Sequence, residues 1–248
     1  MSRFDLVVVM PCFNEADGLP ETLSELIRFL RVRRGNFAIV IQDDKSTDNS
    51  VDIIRRIGVE SGVKILLESN QINMGHGPTS LRAYQRALNL ESERILFLDS
   101  DGQYQVDDLT NILNSGDTSD IPIVIGVRKH RADPSYRRAV SRALKWTIRM
   151  RFNVRSSDPN SPVRLFKREV LEALLQRISK DSLIPNIWLT IYANERKLKV
   201  VEVGVGHRPR VGGDHVGSTW RTAKLQFLGP VVKFIHFSTR CARELLIR

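Results

Sequence analysis

Cysteine is scarce in this chain of 248 residues, and long apolar runs are absent from its sequence. The two cysteines, Cys12 and Cys241, lie near opposite ends, which argues against a disulfide framework and against a cysteine metal cluster. No apolar run approaches the roughly 18 residues that a membrane-spanning helix needs. Met1 leads almost directly into a strand-like segment, so we expect no secretory signal. These absences predict a cytoplasmic protein, either soluble or bound peripherally to a membrane.

Positive charge is in excess, with 38 Lys and Arg against 28 Asp and Glu, a net charge of +10. Such an excess suits nucleic acid, an anionic membrane surface or a phosphorylated substrate. The basic residues lack the interleaved aromatic side chains on which bases stack, which argues against nucleic acid. The length fits one large α/β domain, alone or with a C-terminal addition.

Strand-like and helix-like segments alternate five times in the first half of the chain. This alternation predicts an α/β fold with a mostly parallel, Rossmann-like sheet flanked by helices. The predicted strands of this half are 4–10, 37–42, 63–67, 95–99 and 121–127. Further along, the sequence predicts helices at 136–152, 167–178 and 185–195 and a strand at 199–205.

Two carboxylates, Asp99 and Asp101, stand where the fourth predicted strand ends, in the sequence RILFLDSDGQ at 94–103. Side chains two residues apart share one face of a strand, and a turn beyond the strand could also bring them together. With the amide oxygen of Gln103 they would form a site suited to Mg²⁺ or Mn²⁺ carrying a diphosphate. The alternative is a plain polar turn, because Asp, Ser and Gly are common turn formers.

Acid-bearing loops also follow the first two predicted strands. One contains Pro11, Asn14 and Glu15, and the other contains Asp43 and Asp44. In a doubly wound sheet such loops open on the same crevice, outside the carboxyl ends of the strands. No G-x-G-x-x-G sequence follows the first strand, which argues against a dinucleotide dehydrogenase.

The three loops, in this order and spacing, resemble the family 2 glycosyltransferases with the GT-A fold. The resemblance covers roughly residues 4–128 and implies that the first two loops hold a nucleotide and the third a metal-bound diphosphate. Within that family, Gln103 and the Gly126-x-Arg128 sequence resemble the polyprenyl-phosphate, or dolichol-phosphate, mannose synthases. Asp158 with the segment 164–171, and Arg210, resemble the same group. A departure is Ser161-Pro162-Val163, where that group has a small residue, Gly and Phe.

The resemblance also implies residue roles. The implied catalytic residues are Asp99, Asp101 and Arg128, and the implied metal ligands, for Mg²⁺ or Mn²⁺, are Asp99, Asp101 and Gln103. The implied nucleotide-sugar site comprises Pro11, Phe13, Asn14, Glu15, Asp43, Asp44, Ser100, Arg138 and Arg210. Arginines suit the phosphates because their planar guanidinium groups bind them in bidentate fashion. His76, His207 and His215 are expected to be ordinary loop residues, although His76 could touch the nucleotide and the other two could contact phosphate.

The implied reaction moves a hexose, mannose or glucose, from a GDP- or UDP-sugar to a polyprenyl phosphate with inversion. A phosphate acceptor arrives ionised, so it needs little help from a general base. The alternative is a family 2 enzyme that acts on a non-lipid acceptor such as a glycan or polysaccharide. A lipid acceptor implies peripheral binding at the inner face of the membrane, with a separate membrane-anchoring partner as an open option.

Two basic segments extend beyond these motifs. Residues 128–155 hold ten Lys and Arg against one acid, which predicts a surface that meets lipid phosphates or, alternatively, a solvated face. Residues 220–247 are amphipathic and broken at Gly229-Pro230; they could pack in the core or lie in the membrane interface. We expect a catalytic domain at 1–218 and a C-terminal helical segment at 219–248.

Overall fold

The structure, a computed structural model, describes residues 3–33, 35–117, 121–129, 135–210 and 230–247. For residues 135–140 and for parts of the last helix, only the backbone is described.

The described residues form seven strands and eight helices. The strands are β1 (Phe4–Cys12), β2 (Phe37–Asp43), β3 (Ile65–Ser69), β4 (Ser92–Phe97), β5 (Ile123–Arg128), β6 (Arg164–Lys167) and β7 (Val200–Val205). The helices are α1 (Leu19–Val32), α2 (Ser50–Ser61), α3 (His76–Leu88), α4 (Asp108–Asp117), α5 (Ser135–Phe152), α6 (Arg168–Leu175), α7 (Pro185–Glu195) and α8 (Pro230–Ile247).

All seven strands belong to one sheet in the order β3-β2-β1-β4-β6-β5-β7. Its strand pairs are parallel except at β6, which runs antiparallel to both β4 and β5. The register sets Val9 of β1 beside Val40 of β2 and Phe97 of β4, so these three strands end at the same edge. The prediction of a mostly parallel sheet flanked by helices is confirmed, but the antiparallel strand β6 was not predicted.

Helices cover both faces of the sheet and give it two cores. Val8 and Met10 of β1 point to the face covered by α1, α2 and α4. Val7 and Val9 point to the face covered by α3, α5, α6, α7 and α8. All four of these side chains are buried, which explains why β1 is a continuous apolar run rather than an alternating one.

The second half of α8 packs in the core. Cys241 and Leu245 are buried in the same cluster as Trp188. Glu244 accepts hydrogen bonds from the backbone N of Leu183 at 2.8 Å and from Trp188 Nε1 at 2.7 Å. Of the two alternatives for the amphipathic tail, core packing is therefore the one observed for this half, and the domain boundary at 218 stays a prediction. In the part of the chain that the structure describes, no helix is long and apolar enough to cross a bilayer.

Candidate active site

The acid pair lies in a turn just beyond β4. Leu98 continues the pairing with β1 through a hydrogen bond from its N to the O of Val9 at 2.9 Å, and Asp99 and Asp101 follow. Gly102 has a φ of +65°, which suits glycine, and the N of Gln103 donates to Asp101 Oδ1 at 3.1 Å. Asp99, Asp101 and Gln103 line the same cleft. The polar turn and the convergent acid pair, which the sequence left as alternatives, are therefore the same structure.

The two carboxylates have the properties of a cation site. Burial and the nearby charge of Asp99 raise the pKa of Asp101 to about 6. Asp99 Oδ1 is buried and accepts no hydrogen bond from the described residues, and His76 Nε2 lies 3.6 Å from it. A divalent cation would satisfy this oxygen and offset the repulsion between the two acids.

The donor set also indicates which kind of cation fits. The described residues contain no cluster of three His, Cys, Asp or Glu side chains arranged to hold a metal ion. Mg²⁺ is usually bound through one or two carboxylates together with substrate phosphates and water, rather than in a complete protein cage. The pair of acids therefore fits a Mg²⁺ or Mn²⁺ ion that shares its coordination with a diphosphate.

The loops after β1 and β2 are joined by side-chain hydrogen bonds. Asn14 adopts a φ of +52°, a left-handed conformation that asparagine tolerates better than most residues. Its Oδ1 accepts from the N of Thr47 at 2.7 Å, and its own N donates to Ser46 Oγ at 2.9 Å. Asp43 in turn accepts from the N of Ser46 at 3.2 Å. The two loops that are predicted to hold the nucleotide are therefore joined to each other by hydrogen bonds.

Asp44 is committed to a different loop. Its buried carboxylate accepts hydrogen bonds at 2.8 Å from Asn70 Nδ2 and from the backbone N atoms of Met74 and Gly75. These bonds fix the segment that leads into α3 and so place His76 beside Asp99. The structure gives Asp44 this structural role, and its contact with nucleotide stays a prediction.

The segment after β7 crosses the turn that carries the acid pair. Tyr104 and His207 form an isolated antiparallel bridge. The Nε of Arg208 donates to the carbonyl of Gly102 at 2.6 Å, and its Nη2 lies 2.7 Å from Glu25 Oε2 on α1. Arg208 therefore clamps the Asp-x-Asp turn to α1.

Arg210 and Glu15, both predicted site residues, form an ion pair. Burial raises the pKa of Glu15 to about 8, the Arg210 guanidinium offsets part of that rise, and the charge of Asp101 adds to it. The nearby acids explain why the positively charged Arg210 guanidinium lies here. A diphosphate bound at the acid pair would bring a stronger anionic partner for Arg210.

Arg128, at the end of β5, lines the same cleft as the acid pair and binds Asp158. The segment behind Asp158 is held by Arg164, which is fully buried. Arg164 donates from Nε to the carbonyl of Ser161 at 2.9 Å and from Nη2 to that of Pro159 at 2.5 Å. The segment from Asp158 to Ser161 therefore connects two residues of the predicted motifs. Arg128 binds the carboxylate of Asp158, and Arg164 binds the backbone carbonyls of Pro159 and Ser161.

The remaining predicted residues fall into three groups. Pro11 and Ser100 are buried at the strand ends, and Phe13 is half-buried between them and solvent. The side chain of Arg138 and the whole of His215 lie outside the described residues. The fold also brings to the site His76 and His207, which the sequence left as ordinary loop residues, and three residues to which it gave no role, Tyr104, Arg208 and Glu25.

The sequence profile of glycosyl transferase family 2 matches residues 7–175. The chain therefore belongs to glycosyl transferase family 2, which confirms the predicted family. Relatives include the undecaprenyl-phosphate 4-deoxy-4-formamido-L-arabinose transferases of Aeromonas hydrophila, 24% identical over 84% of this chain and 61% of that protein, and of Pseudomonas paraeruginosa, 26% identical over 90% and 63%. The chain thus spans less than two thirds of the length of these relatives.

Solved structures with a similar fold include glucosyl-3-phosphoglycerate synthase from Mycobacterium tuberculosis. Its complex with UDP aligns with a TM-score of 0.67 at 19% identity, covering 98% of this chain and 79% of that one. Its complex with Mn²⁺, UDP and glucosyl-3-phosphoglycerate aligns with a TM-score of 0.64 at 16% identity over the same shares. At this identity the likeness concerns the fold alone, and it confirms the predicted GT-A architecture.

Proposed function

We propose that this protein transfers a sugar from a nucleotide-diphosphate sugar to the phosphate of a polyprenyl lipid, with inversion at the anomeric carbon. The observation that carries the proposal is the partly buried acid pair Asp99 and Asp101, which lines one cleft together with Arg128 at the carboxyl edge of the sheet. The names of the relatives, which are undecaprenyl-phosphate transferases, support the lipid acceptor. A Mn²⁺ and UDP complex of a protein with the same fold supports the metal and the donor class.

Asp99, Asp101 and Gln103 would hold Mg²⁺ or Mn²⁺, which when bound neutralises charge on the leaving diphosphate. Glu15 and Asp43 would contact the nucleoside, with Pro11 and Phe13 shaping its pocket. We assign Arg128, Arg138 and Arg210 to the phosphates, since their guanidinium groups suit phosphate oxygens. The role of Arg210 includes an exchange of partners, from Glu15 in the free enzyme to the diphosphate when the donor binds.

The chemistry on the acceptor side needs little from the protein. A polyprenyl phosphate is anionic at neutral pH, so one of its oxygens attacks the anomeric carbon directly while the bond to the diphosphate breaks. Arg128, oriented by Asp158, would keep the acceptor phosphate from repelling the donor. This single displacement inverts the configuration and explains why the site requires no general base.

Hexose is the sugar that the resemblance implies, whereas the relatives are named for an arabinose derivative, which is a pentose. We propose a hexose donor, and the test includes both kinds of sugar. We further propose that the enzyme works peripherally at the inner face of the membrane, with or without a separate anchoring partner, because a polyprenyl acceptor resides in the bilayer.

The test is transfer of label from UDP-glucose, GDP-mannose, UDP-N-acetylglucosamine and a UDP-linked 4-deoxy-4-formamido-L-arabinose, each with Mn²⁺ or Mg²⁺. Each donor is offered with a short polyprenyl phosphate and, as a matched control, with the corresponding alcohol. We expect label in the organic phase only with the phosphate, and none with the Asp101→Asn variant. Transfer to an oligosaccharide but not to the lipid would overturn the proposal in favour of the glycan acceptor.

A further inference from the structure

One face of α5 exposes two large apolar side chains among cations. Trp146 and Met150 are each 66% exposed and lie one helical turn apart. Arg142 and Arg149 are exposed as well, and Lys145 is partly exposed. Because residues three and four apart are neighbours on a helix, these five side chains form one patch, which we call the α5 surface.

The opposite face of α5 fixes the direction of this surface. Ile148 is buried in the core, and Phe152 packs edge-on against Trp188 with ring centroids 5.8 Å apart. Trp146 is two residues from Ile148 and therefore points away from the core. The exposure of Trp146 and Met150 follows from how the helix is anchored rather than from the rotamer of either side chain.

The cations of α5 have no acidic neighbours on their own helix. The sequence of α5 contains six Lys and Arg and no Asp or Glu. On α2, across the sheet, Arg55 lies 3.4 Å from Asp52 and Arg56 lies 3.9 Å from Glu60. A helix that serves only as a solvated face usually mixes charges in the way that α2 does. The purely positive side-chain charge of α5 favours the binding of an anionic partner.

The end of α8 contacts a different flank of α5, through Arg151. Arg151 Nη2 donates to the carbonyl of Leu246 at 3.3 Å, and the side chain of Leu246 is 59% exposed. An exposed apolar residue therefore lies near α5 but outside the α5 surface, and Arg243 is exposed on α8 one turn earlier.

We propose that the α5 surface docks on an anionic lipid bilayer. Trp and other large apolar side chains enter the headgroup region, while Arg and Lys on the same face bind lipid phosphates. Nucleic acid would use the same cations, but it would leave the exposed Met150 without a role. The mixture of apolar and cationic side chains favours the bilayer.

The position of α5 in the chain relates this docking surface to the cleft. In the sequence α5 lies between Arg128, which lines the cleft, and Asp158, which pairs with it. A bilayer held at α5 would bring lipid phosphates close to this pair. That last step rests on the proposed lipid acceptor, whereas the docking itself does not.

The test is flotation of the full chain with vesicles of phosphatidylcholine alone and with phosphatidylglycerol added, in the absence of donor and of polyprenyl phosphate. We expect binding to the anionic vesicles only. Replacing Arg142, Lys145 and Arg149 together by Gln should weaken that binding on the order of one hundredfold, given the usual attraction of each cation to anionic lipid. The double variant W146S/M150S should weaken it at least tenfold.

A matched control comes from α2, on the opposite face of the sheet. Val59 is exposed there as Trp146 is on α5, so V59S with R55Q and R56Q removes one exposed apolar side chain and two cations from that face and should leave binding unchanged. Equal losses in the α2 and α5 variants, or no binding by the unaltered chain, would overturn the proposal. So would tighter binding to an oligonucleotide than to vesicles that survives W146S/M150S.

A second measurement separates docking from catalysis. W146S/M150S should keep its turnover with a short polyprenyl phosphate in detergent, because neither side chain lies in the cleft. Loss of vesicle binding with retained turnover supports docking. If no donor is turned over by any variant, the proposed reaction fails while the vesicle result still decides the docking proposal.

Discussion

Arg128 and Asp158 form a bidentate ion pair on the wall of the cleft. Arg128 Nε lies 2.7 Å from Asp158 Oδ2, and an Nη lies 2.9 Å from Oδ1. The two side chains are only 15% and 5% exposed. Two parallel hydrogen bonds fix the plane of a guanidinium group as well as its position. Asp158 therefore orients the arginine that we assign to phosphate binding.

Replacing Asp158 by Asn should both destabilise the fold and slow transfer. The change removes the carboxylate that Arg128 contacts through two hydrogen bonds, and losing one partner of a largely buried pair costs about 3 kcal/mol. Urea unfolding measures the stability, and kcat/KM for the lipid acceptor measures the orientation of Arg128. The exposed pair of Arg33 and Asp117 provides the control, since Asp117→Asn should change stability by less than about 1 kcal/mol. Equal small effects at both sites would contradict the role of Asp158.

The acid pair predicts an unusual pH dependence for the metal-free protein. The pKa of Asp101 is raised from 3.8 to about 6 in the folded state, so folding favours its protonated form. That contribution is fully present below the unfolded pKa and is lost as pH rises through about 6. Asp101→Asn should therefore stabilise the chelator-treated protein at pH 7.5, by up to about 3 kcal/mol, and converge with the unaltered protein near pH 4. A destabilised variant at pH 7.5 would argue against mutual repulsion of the acids.

Metal binding should reverse that ranking. A ligand that binds only the folded state stabilises it by about 2.7 kcal/mol at one hundred times its Kd. Mn²⁺ with UDP should therefore raise the Tm of the unaltered protein by several degrees and leave the Tm of Asp99→Asn and Asp101→Asn almost unchanged. Ca²⁺-free buffer with chelator gives the baseline. An equal rise in all three proteins would place the ion elsewhere.

Arg210 should govern donor affinity, and its replacement should also lower stability, because the buried Glu15 would lose this ion pair. A hydrogen bond to a charged group contributes about 1.5–3 kcal/mol, so Arg210→Gln should raise the Kd for a nucleoside diphosphate roughly tenfold to one hundredfold. Calorimetric titration with UDP and GDP measures this effect. Arg196→Gln, at an exposed position after α7, controls for the loss of one positive charge from the chain. Unchanged affinity in the Arg210 variant would leave its pair with Glu15 a purely structural contact.

Local sequence patterns predicted the parts of the site that follow single strands. Asp43 ends β2 and Asp99 follows β4 closely, and the parallel sheet brings such strand ends to one edge. The clamp of Arg208 on Gly102 and Glu25 was not predictable in this way, because it joins residues up to 183 positions apart. His76 likewise reaches Asp99 only through the loop that Asp44 holds.

Strand β6 shows the same limit at the level of the fold. Its four residues, Arg164–Lys167, include two cations and give no strand signal of their own. They become a strand because β4 and β5 offer backbone partners on both sides, in the antiparallel sense. Arg164 is buried there only because carbonyls of Pro159 and Ser161 and the hydroxyl of Thr190 accept its hydrogen bonds. These hydrogen bonds of the buried guanidinium group form only in the folded chain, and the periodicity of the sequence cannot reveal them.

Removing α8 should unfold the protein rather than merely release it from membranes. A truncation before Pro230 would strip Leu245 and Cys241 from the core and leave Trp188 Nε1 and the N of Leu183 without their acceptor Glu244. Burial of one Leu side chain contributes about 1.5–3 kcal/mol and each unsatisfied donor costs about 1–3 kcal/mol, so the sum approaches the whole stability of a typical domain. Glu244→Ala alone should cost about 2 kcal/mol in urea unfolding, whereas Leu246→Ser, at an exposed position of the same turn, should stay within about 0.5 kcal/mol. A truncated chain that keeps a cooperative transition near the original Tm would show that α8 is an appendage, and the membrane interface would then be the better place for it.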